Sequence, residues 1–322
     1  MKHVWPILLV VSVFAGCAVV TIPLFPSLKA LEERVLEGQG RAKILVMDIS
    51  DVISEKQREH GVEFQPKTSM VARIKEELQK AEKDEAIAGI ILRIDSPGGT
   101  VAATDTIYHE LLEFKRRSRV RLVACVTGLA VSGGYYVAAA ADEIVAYPTS
   151  ITGNIGVIAM KFNVEGLLSK IGVESEAVKS ADKKDLWSPL RPSTPEEKQI
   201  VQGVINELHE RFVEVVSAGR EGLLSKDEVK GLADGRIFTA EQALQVKLID
   251  RIGYLDDAIR EMKQSLKLKD AKVIAYHRPG AYRGTIYSGF PQATGSDINL
   301  VSIDGDFQSL LPEVHFMYLW TP

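Results

Sequence analysis

The chain has 322 residues, of which 46% are hydrophobic and 25% are charged, a composition typical of a folded protein with one or two cores. Its 39 basic and 43 acidic residues leave a net charge of -4, so it lacks the broad positive field that binds a phosphate backbone, and we expect no nucleic-acid partner. The two cysteines, Cys17 and Cys125, cannot form a disulfide framework, and both lie in apolar runs, so neither is expected to be catalytic.

Residues 1–28 are predicted to be a membrane anchor or a signal segment. No charged residue occurs between Val4 and Leu28, and about twenty apolar residues are enough to span a bilayer as a helix. Lys2 precedes this run, so the positive-inside tendency sends the rest of the chain to the extracytoplasmic side. A cleaved secretory signal and lipid attachment at Cys17 are alternatives, and two prolines late in the run disfavour an uninterrupted helix.

The next segment, residues 29–40, is charged and is predicted to be a helix-prone stalk. Beyond it, short apolar runs rich in β-branched residues alternate with amphipathic helical patterns. This alternation predicts an α/β domain with largely parallel strands over residues 41–276. The strands are predicted at 43–48, 87–95, 121–127 and 143–147, with helices at 69–84, 101–117 and 133–141.

The second half of the domain is predicted to be more helical. Three segments have a hydroxyl residue followed three positions later by Glu or Gln, the pattern of a capping box at a helix start: Thr194 to Glu197, Ser225 to Glu228 and Thr239 to Gln242. Residues 277–322 form a C-terminal arm without clear periodicity, which ends in the apolar run 314–320. Such an ending predicts docking on a surface of the domain or on a neighbouring subunit.

A glycine-rich loop follows the strand predicted at 87–95. Residues 95–99 read Asp-Ser-Pro-Gly-Gly, and a helix is predicted directly after them. The glycines can present backbone N–H groups at the carboxyl end of a strand, where ligands of open α/β sheets bind. Taken alone, the motif fits a plain strand-to-helix turn better.

Ser132 lies between an apolar strand and an Ala-rich helix, within Ala-Val-Ser-Gly-Gly-Tyr-Tyr at 130–136. A serine there can act as a nucleophile, because the N–H of the next residue can bind an oxyanion and the helix N-terminus favours negative charge. The spacing is not that of the Gly-x-Ser-x-Gly elbow. A simple helix N-cap is the alternative.

A serine nucleophile needs a base, and no histidine lies between Ser132 and His209. Lys179, Lys183 and Lys184 cluster in that interval, and lysine serves as the base in Ser-Lys enzymes, although each lysine alone is more simply a solvated charge. A lysine base must be neutral, whereas free lysine has a pKa of about 10.4, so a water-poor cleft is required. The sequence contains no metal-ligand or nucleotide-binding motif, so neither a metal nor a cofactor is expected.

Together these segments resemble the signal peptide peptidase A (SppA) family, relatives of the Clp protease proteolytic subunit with a crotonase-like α/β spiral fold. The resemblance covers roughly residues 41–275. It includes, in the family's order, Asp-Ser-Pro-Gly-Gly, Ser-Gly-Gly-Tyr-Tyr, Thr-Gly-Asn-Ile-Gly at 152–156, and Lys-Asp-x-x-Ser-Pro from Lys184. It implies that Ser132 is the nucleophile and Lys184 the general base, with Lys183 as the fallback.

The resemblance also implies the groups around the nucleophile. The N–H of Gly133, with that of Gly98 or Gly99, would form the oxyanion hole. Asn154 would orient the lysine, at a position where the family usually has serine. An amide oxygen can accept the same hydrogen bond from the lysine.

The implied function is that of a membrane-anchored serine endopeptidase that degrades remnant signal peptides or other apolar, unfolded peptides. It would lie at the bacterial cell membrane with its catalytic domain outside the cytoplasm. Family members form ring- or dome-shaped homo-oligomers that enclose their active sites. Two alternatives keep the fold without this chemistry: a catalytically inert membrane scaffold, motivated by Asn154, and a crotonase-like acyl-CoA enzyme.

Overall fold

The computed structural model describes residues 30–55, 68–278 and 316–320. The anchor or signal segment predicted at 1–28 lies outside the described residues, as does most of the C-terminal arm. In the three described ranges, every helix is too short or too polar to cross a membrane.

These ranges contain twelve strands and eight helices. The strands are β1 (Glu32–Glu37), β2 (Lys43–Ser50), β3 (Ile87–Ser96), β4 (Gly98–Thr100), β5 (Arg121–Val131), β6 (Glu143–Ala146), β7 (Ile151–Gly153), β8 (Ile158–Ala159), β9 (Ile237–Thr239), β10 (Arg251–Ile252), β11 (Lys272–His277) and β12 (Phe316–Leu319). The helices are α1 (Met70–Glu82), α2 (Val101–Ser118), α3 (Gly133–Ala138), α4 (Glu165–Lys170), α5 (Pro195–Gly219), α6 (Lys226–Leu232), α7 (Ala240–Gln245) and α8 (Leu255–Ser265).

The large sheet has nine strands, seven of them in the order β1-β11-β2-β3-β5-β6-β10, in which all neighbours are parallel except β1 and β11. Strand β7 extends the sheet parallel to the end of β5, and β9 pairs antiparallel with β7. Its central strands are continuous apolar runs because both faces are covered, as is usual for parallel strands. On one face Leu92 packs in a cluster with Leu78 of α1 and Leu111 of α2. On the other face Ile91 packs with Ile259 of α8. The α/β architecture predicted for this part of the chain is confirmed.

The four predicted strands and three predicted helices are confirmed, with shifts at their ends. The strand predicted at 121–127 continues to Val131, and the helix predicted at 133–141 ends at Ala138. All three predicted capping boxes are present, at the starts of α5, α6 and α7. The longer β5 matters for the site because it carries the chain directly to Ser132.

The helix-prone stalk predicted at 29–40 is wrong as local structure. Residues Glu32–Glu37 form the edge strand β1, which pairs antiparallel with β11 so that Val35 lies opposite Ile274. Pairing with a strand far away in the sequence overrides helix propensity, which is a weak local preference. The charged residues of β1 suit a sheet edge, where they discourage pairing with other chains.

A second, three-stranded sheet has the order β4-β12-β8, with β12 antiparallel to both neighbours. Strand β12 comes from the C-terminal arm, whereas β4 is the glycine-rich loop at 98–100. The described end of the arm therefore lies along the carboxyl edge of the large sheet, beside the end of β5.

Candidate active site

Ser132 occupies a strained turn between β5 and α3. Its backbone has φ 53° and ψ -120°, a conformation that residues other than glycine rarely adopt. The turn is held by two hydrogen bonds: the N–H of Ser132 donates to Gly153 O over 2.8 Å, and its carbonyl oxygen accepts from Tyr136 N over 3.0 Å. A sharp strand-to-helix turn of this kind presents a nucleophilic side chain.

The helix N-cap alternative for Ser132 does not fit its geometry. Ser132 stands at the N-cap position of α3, but its side chain makes no capping hydrogen bond. Serine is favoured at N-caps because its side chain accepts that bond, and an N-cap residue normally has an extended backbone. The strained conformation and the unused cap together favour a chemical role for the hydroxyl.

Gly98 and Gly133 lie directly against each other beside this turn. A Cβ atom on Gly98, where φ is 98°, would lie 2.7 Å from the nitrogen of Gly133. A Cβ on Gly133 would lie 3.1 Å from Cα of Gly98. The structure therefore brings Ser132, the predicted nucleophile, together with glycines predicted for the oxyanion hole, and a side chain at Gly98 would overlap the backbone.

Gly99 is also confined, in its case by Ile53, which pairs with β4. The carbonyl of Gly98 accepts from Ile53 N over 2.8 Å, and Thr100 N donates to Ile53 O over 2.9 Å. Backbone groups alternate in direction along a strand, so those of Gly99 face β12. The N–H of Gly98 donates to Ser96 Oγ over 3.1 Å. These bonds favour Gly99 over Gly98 as the second oxyanion donor.

Strand β12 places a peptide carbonyl at this glycine pair. Tyr318 lies opposite Gly99 in the antiparallel register, and Trp320 N donates to Pro97 O over 2.9 Å. The carbonyl oxygen of Tyr318 would be 1.9 Å from a Cβ on Gly98 and 3.0 Å from one on Gly133. An extended segment of the chain itself thus lies where a peptide beside Ser132 would lie.

Thr104, on α2, is a polar neighbour of the site that sequence reasoning missed. Its side chain is fully buried, and its hydroxyl has no hydrogen-bond partner among the described residues. A Cβ on Gly133 would lie 2.8 Å from this hydroxyl. A threonine in the first turn of a helix carries no sequence signal for such a role, because only the fold brings it to Gly133.

Asn154 lies one residue beyond β7, next to the carbonyl that binds the Ser132 amide. Its Nδ2 donates to Gly235 O over 2.6 Å, and its backbone has φ 50°. With Leu319 and Trp320 it lines a cavity of about 200 Å³. Its predicted role in orienting a lysine stays a prediction.

The three candidate lysines lie on an exposed segment, and the structure does not bring them to Ser132. Lys179 pairs with Asp185 over 2.8 Å, and Lys183 pairs with Glu196. The ammonium of Lys184 is exposed and has no hydrogen-bond or ion-pair partner in the described part of the chain. Ser132, by contrast, is only 1% exposed.

Asp185, the residue after Lys184, is fixed by strong ion pairs. Arg191 donates from Nε over 2.8 Å and Lys179 from Nζ over 2.8 Å. The hydrogen bonds from Arg191 and Lys179 hold the pKa of the Asp185 carboxyl well below its usual range. This carboxylate orders the turn that carries Lys184.

Cys125 does not offer an alternative nucleophile. It lies within β5, and burial raises the pKa of its thiol to about 12. A buried thiol of this kind stays protonated and unreactive. In the described residues no group of three or more His, Cys, Asp or Glu side chains is placed to hold a metal ion.

Comparisons with known proteins agree with this fold. The model of peptidase family S49 matches residues 115–269, and the Clp protease model matches residues 47–152. A putative signal peptide peptidase SppA of Enterococcus faecium is 35% identical over 245 residues, which cover 76% of this chain and 70% of the relative. A putative protease of Methanocaldococcus jannaschii is 36% identical over 216 residues, covering 66% of this chain and 68% of the relative. Protease 4 of Salmonella typhi is 30% identical over 237 residues, 74% of this chain and 36% of the relative.

The fold is a mixed α/β architecture of the Clp protease type, and the protein is a serine peptidase. The chain belongs to peptidase family S49, as the resemblance to SppA predicted. Membership of this family favours peptidase activity over the inert scaffold and the acyl-CoA enzyme.

The close contact of the two glycines yields a first prediction. Gly98→Ala would force a methyl group to within 1.9 Å of Tyr318 O and 2.7 Å of Gly133 N, at a φ of 98°. We expect peptide turnover to fall by about 100-fold or more, the usual effect of disturbing an oxyanion hole. Gly203→Ala is the matched control because a Cβ there meets nothing within 4 Å. Initial rates on an extended apolar peptide, with circular dichroism of both variants, measure the effect. Equal rates for the two variants would contradict it.

Proposed function

We propose that this serine peptidase uses Ser132 as nucleophile and Lys184 as general base to cleave extended, apolar peptides such as remnant signal peptides. The observation that carries the proposal is the strained Ser132 turn beside Gly98 and Gly133, with the carbonyl of an extended strand against both glycines. The Enterococcus faecium relative is a putative signal peptide peptidase, which supports signal peptides as the substrate class. Extended peptides bind readily to a sheet edge as an added strand.

The proposed reaction proceeds through an acyl-enzyme. The Ser132 oxygen attacks the peptide carbonyl carbon while its proton passes to the neutral amine of the lysine. The oxyanion accepts hydrogen bonds from the N–H groups of Gly133 and Gly99. The C–N bond then breaks, and the lysine returns the proton to the leaving amine. A water deprotonated by the same lysine attacks the Ser132 ester, the bond between the acyl carbon and the Ser132 oxygen breaks, and the lysine returns this proton to the serine oxygen as the acid product leaves.

A serine-reactive probe tests the nucleophile. We expect a fluorophosphonate to add one adduct mass to the wild-type chain and none to Ser132→Ala, because among the described serines Ser132 alone has a positive φ in such a turn. Intact mass and peptide mapping locate the adduct, and circular dichroism checks that the variant folds. An adduct on a different serine, or an unlabelled but folded wild-type chain, would refute Ser132 as the nucleophile.

In this proposal, the Lys184 that serves as general base for Ser132 comes from a second copy of the chain. Lys184 is exposed, Ser132 is buried, and no hydrogen bond joins the two side chains within the described part of one chain. The segment around Lys184 also exposes large apolar side chains, with Phe162 at 62% and Val178 at 97%. A homo-oligomer that covers this segment would bury these side chains. It would also remove water from an ammonium group, which favours the neutral form that a base needs.

Mixing two inactive variants tests whether the base comes from a second copy of the chain. Ser132→Ala and Lys184→Ala should each lose at least about 1000-fold in turnover, because nucleophile and base act as a unit. Mixed and co-refolded, they should regain a measurable fraction of the activity, since some sites then combine an intact Ser132 with an intact Lys184 of the other copy. Lys183→Ala is the neighbouring control and should keep near wild-type turnover, whereas Lys184→Arg should be inactive because guanidinium stays protonated.

Three outcomes of this experiment would count against the assignment. Failure of the mixture to regain activity, although the two variants co-assemble, would contradict a base from a second copy. An active Lys184→Ala with an inactive Lys183→Ala would move the base by one residue. Full activity in both lysine variants would refute the Ser-Lys mechanism at this segment.

The proposal places the peptidase at a bacterial membrane, with residues 1–28 as the anchor or signal and the catalytic domain outside the cytoplasm. The uncharged run after Lys2 supports it. Protease added to intact spheroplasts should digest the catalytic domain, and full protection would contradict the orientation. Mass spectrometry of the membrane fraction separates the alternatives: a retained Met1 supports a spanning helix, and a lipid adduct on Cys17 supports lipid attachment.

A further inference from the structure

We propose that Thr104 is a further catalytic residue, whose hydroxyl donates a third hydrogen bond to the oxyanion that forms when Ser132 attacks a peptide carbonyl. This inference rests on the proposed function, because it assigns one more donor to the oxyanion of that reaction. The other two donors are the backbone N–H groups of Gly133 and Gly99. A side-chain donor differs from them because a single substitution removes it without moving the backbone.

The Thr104 hydroxyl is buried without a hydrogen-bond partner. The residue is 0% exposed, and its Oγ1 has no partner in the part of the chain that the structure describes. Hydroxyl side chains inside helices often donate to the carbonyl four residues earlier, as Thr106 of the same helix does to Ala102 O over 2.8 Å. Thr104 makes no such bond. A buried, unpaired hydroxyl costs free energy, so its presence in a folded chain calls for an explanation.

The hydroxyl of Thr104 borders the predicted oxyanion hole. A Cβ atom on Gly133 would lie 2.8 Å from Thr104 Oγ1 and 3.0 Å from the carbonyl oxygen of Tyr318, so both oxygens border the same small space beside Gly133. The Tyr318 carbonyl there stands in for the carbonyl of a bound peptide. The N–H of Gly133 is the first of α3 and has no acceptor within that helix. An oxyanion in this space is therefore flanked by an amide and by a hydroxyl.

The fold fixes Thr104 relative to the glycine-rich loop. Strand β4 ends at Thr100 and α2 begins at Val101, so Thr104 lies in the first turn of the helix that directly follows Gly99. Side chains on a helix tilt toward its N-terminus, which directs Thr104 back toward β4. The N-cap Thr100 accepts from Ala103 N over 3.4 Å and so holds this turn. A donor held in this way needs little reorganisation when negative charge develops.

The resting state and the transition state offer this hydroxyl different partners. In the resting chain the Thr104 hydroxyl has no acceptor among the described residues, whereas the tetrahedral intermediate places a negative charge in the space that it borders. Hydrogen bonds to charged acceptors are stronger than those between neutral groups. Because the bond is gained only as the charge develops, it lowers the reaction barrier and leaves substrate binding unchanged. The hydroxyl keeps its proton throughout, so no further proton transfer is needed.

Steady-state kinetics of the full-length chain on an extended apolar peptide test this role. Thr104→Val keeps the shape of the side chain and removes the hydroxyl. We expect kcat to fall by about 100-fold, the usual effect of removing one oxyanion donor, while KM stays within about threefold of the wild-type value. Thr104→Ser retains a hydroxyl and should keep kcat within about fivefold of the wild type.

Thermal stability separates a catalytic hydroxyl from a structural one. Thr104→Val removes a buried, unpaired polar group, so we expect its melting temperature to rise by about 2 °C or more although its activity falls. Thr106→Val is the matched control on the same helix. It should keep the wild-type kcat, and its melting temperature should not rise, because it loses the hydrogen bond to Ala102 O.

Four results would overturn the role of Thr104. They are a folded Thr104→Val with wild-type kcat, a KM that rises as much as kcat falls, a lowered melting temperature in that variant, and a Thr104→Ser as slow as Thr104→Val. If Thr104→Val does not fold, Thr104→Ala takes its place with the same expected loss of kcat, and wild-type kcat in this variant would overturn the role equally. Absence of fluorophosphonate labelling at Ser132 in the wild type would instead refute the proposed function, so the two failures are distinguishable.

Discussion

At the carboxyl edge of the sheet, three backbone segments approach so closely that a methyl group on Gly98 would overlap the carbonyl oxygen of Tyr318. The same oxygen lies against Gly133, whose amide is the first of the helix that follows Ser132. This contact involves one glycine from each of two Gly-Gly motifs that lie in different parts of the chain. It also defines the space in which a peptide carbonyl can meet the nucleophile.

The remainder of the fold supports this contact. Strand β5 runs without interruption to Val131, and the parallel neighbour β7 supplies the Gly153 carbonyl that holds the Ser132 amide. The strain of a positive φ at Ser132 persists because hydrogen bonds on both sides of the residue over-determine it. Ile53 forms backbone hydrogen bonds with β4, and α5 supplies the carbonyl that accepts a hydrogen bond from the Tyr318 hydroxyl. The geometry of the site is thus a consequence of sheet pairing and of helix packing.

Local patterns were sufficient to predict the central strands, the helices between them and the capping boxes, since each depends on neighbouring residues. Short motifs also singled out Ser132, Gly98, Gly99 and Gly133 as candidates, but the resemblance to SppA gave them their roles, which stay predictions. The strand β1 was mistaken for a helix since its partner β11 is remote in sequence. The arm was expected to dock, but its register against Gly99 could not be predicted, because that pairing depends on the packing of Tyr318 against Tyr136 and Phe212, which only the folded chain assembles.

The central claim is that β12 occupies the strand position of a peptide substrate in front of a reactive Ser132. The most direct measurement is the second-order rate of fluorophosphonate labelling of Ser132 in the full-length wild type and in Tyr318→Ala. Tyr318 is fully buried against Tyr136 and Phe212, so removing its side chain should release β12 and expose Ser132 to the probe. We predict labelling of Ser132 that is several-fold faster in Tyr318→Ala, with both proteins folded by circular dichroism. Equal or slower labelling of Ser132 in a folded Tyr318→Ala would contradict the claim.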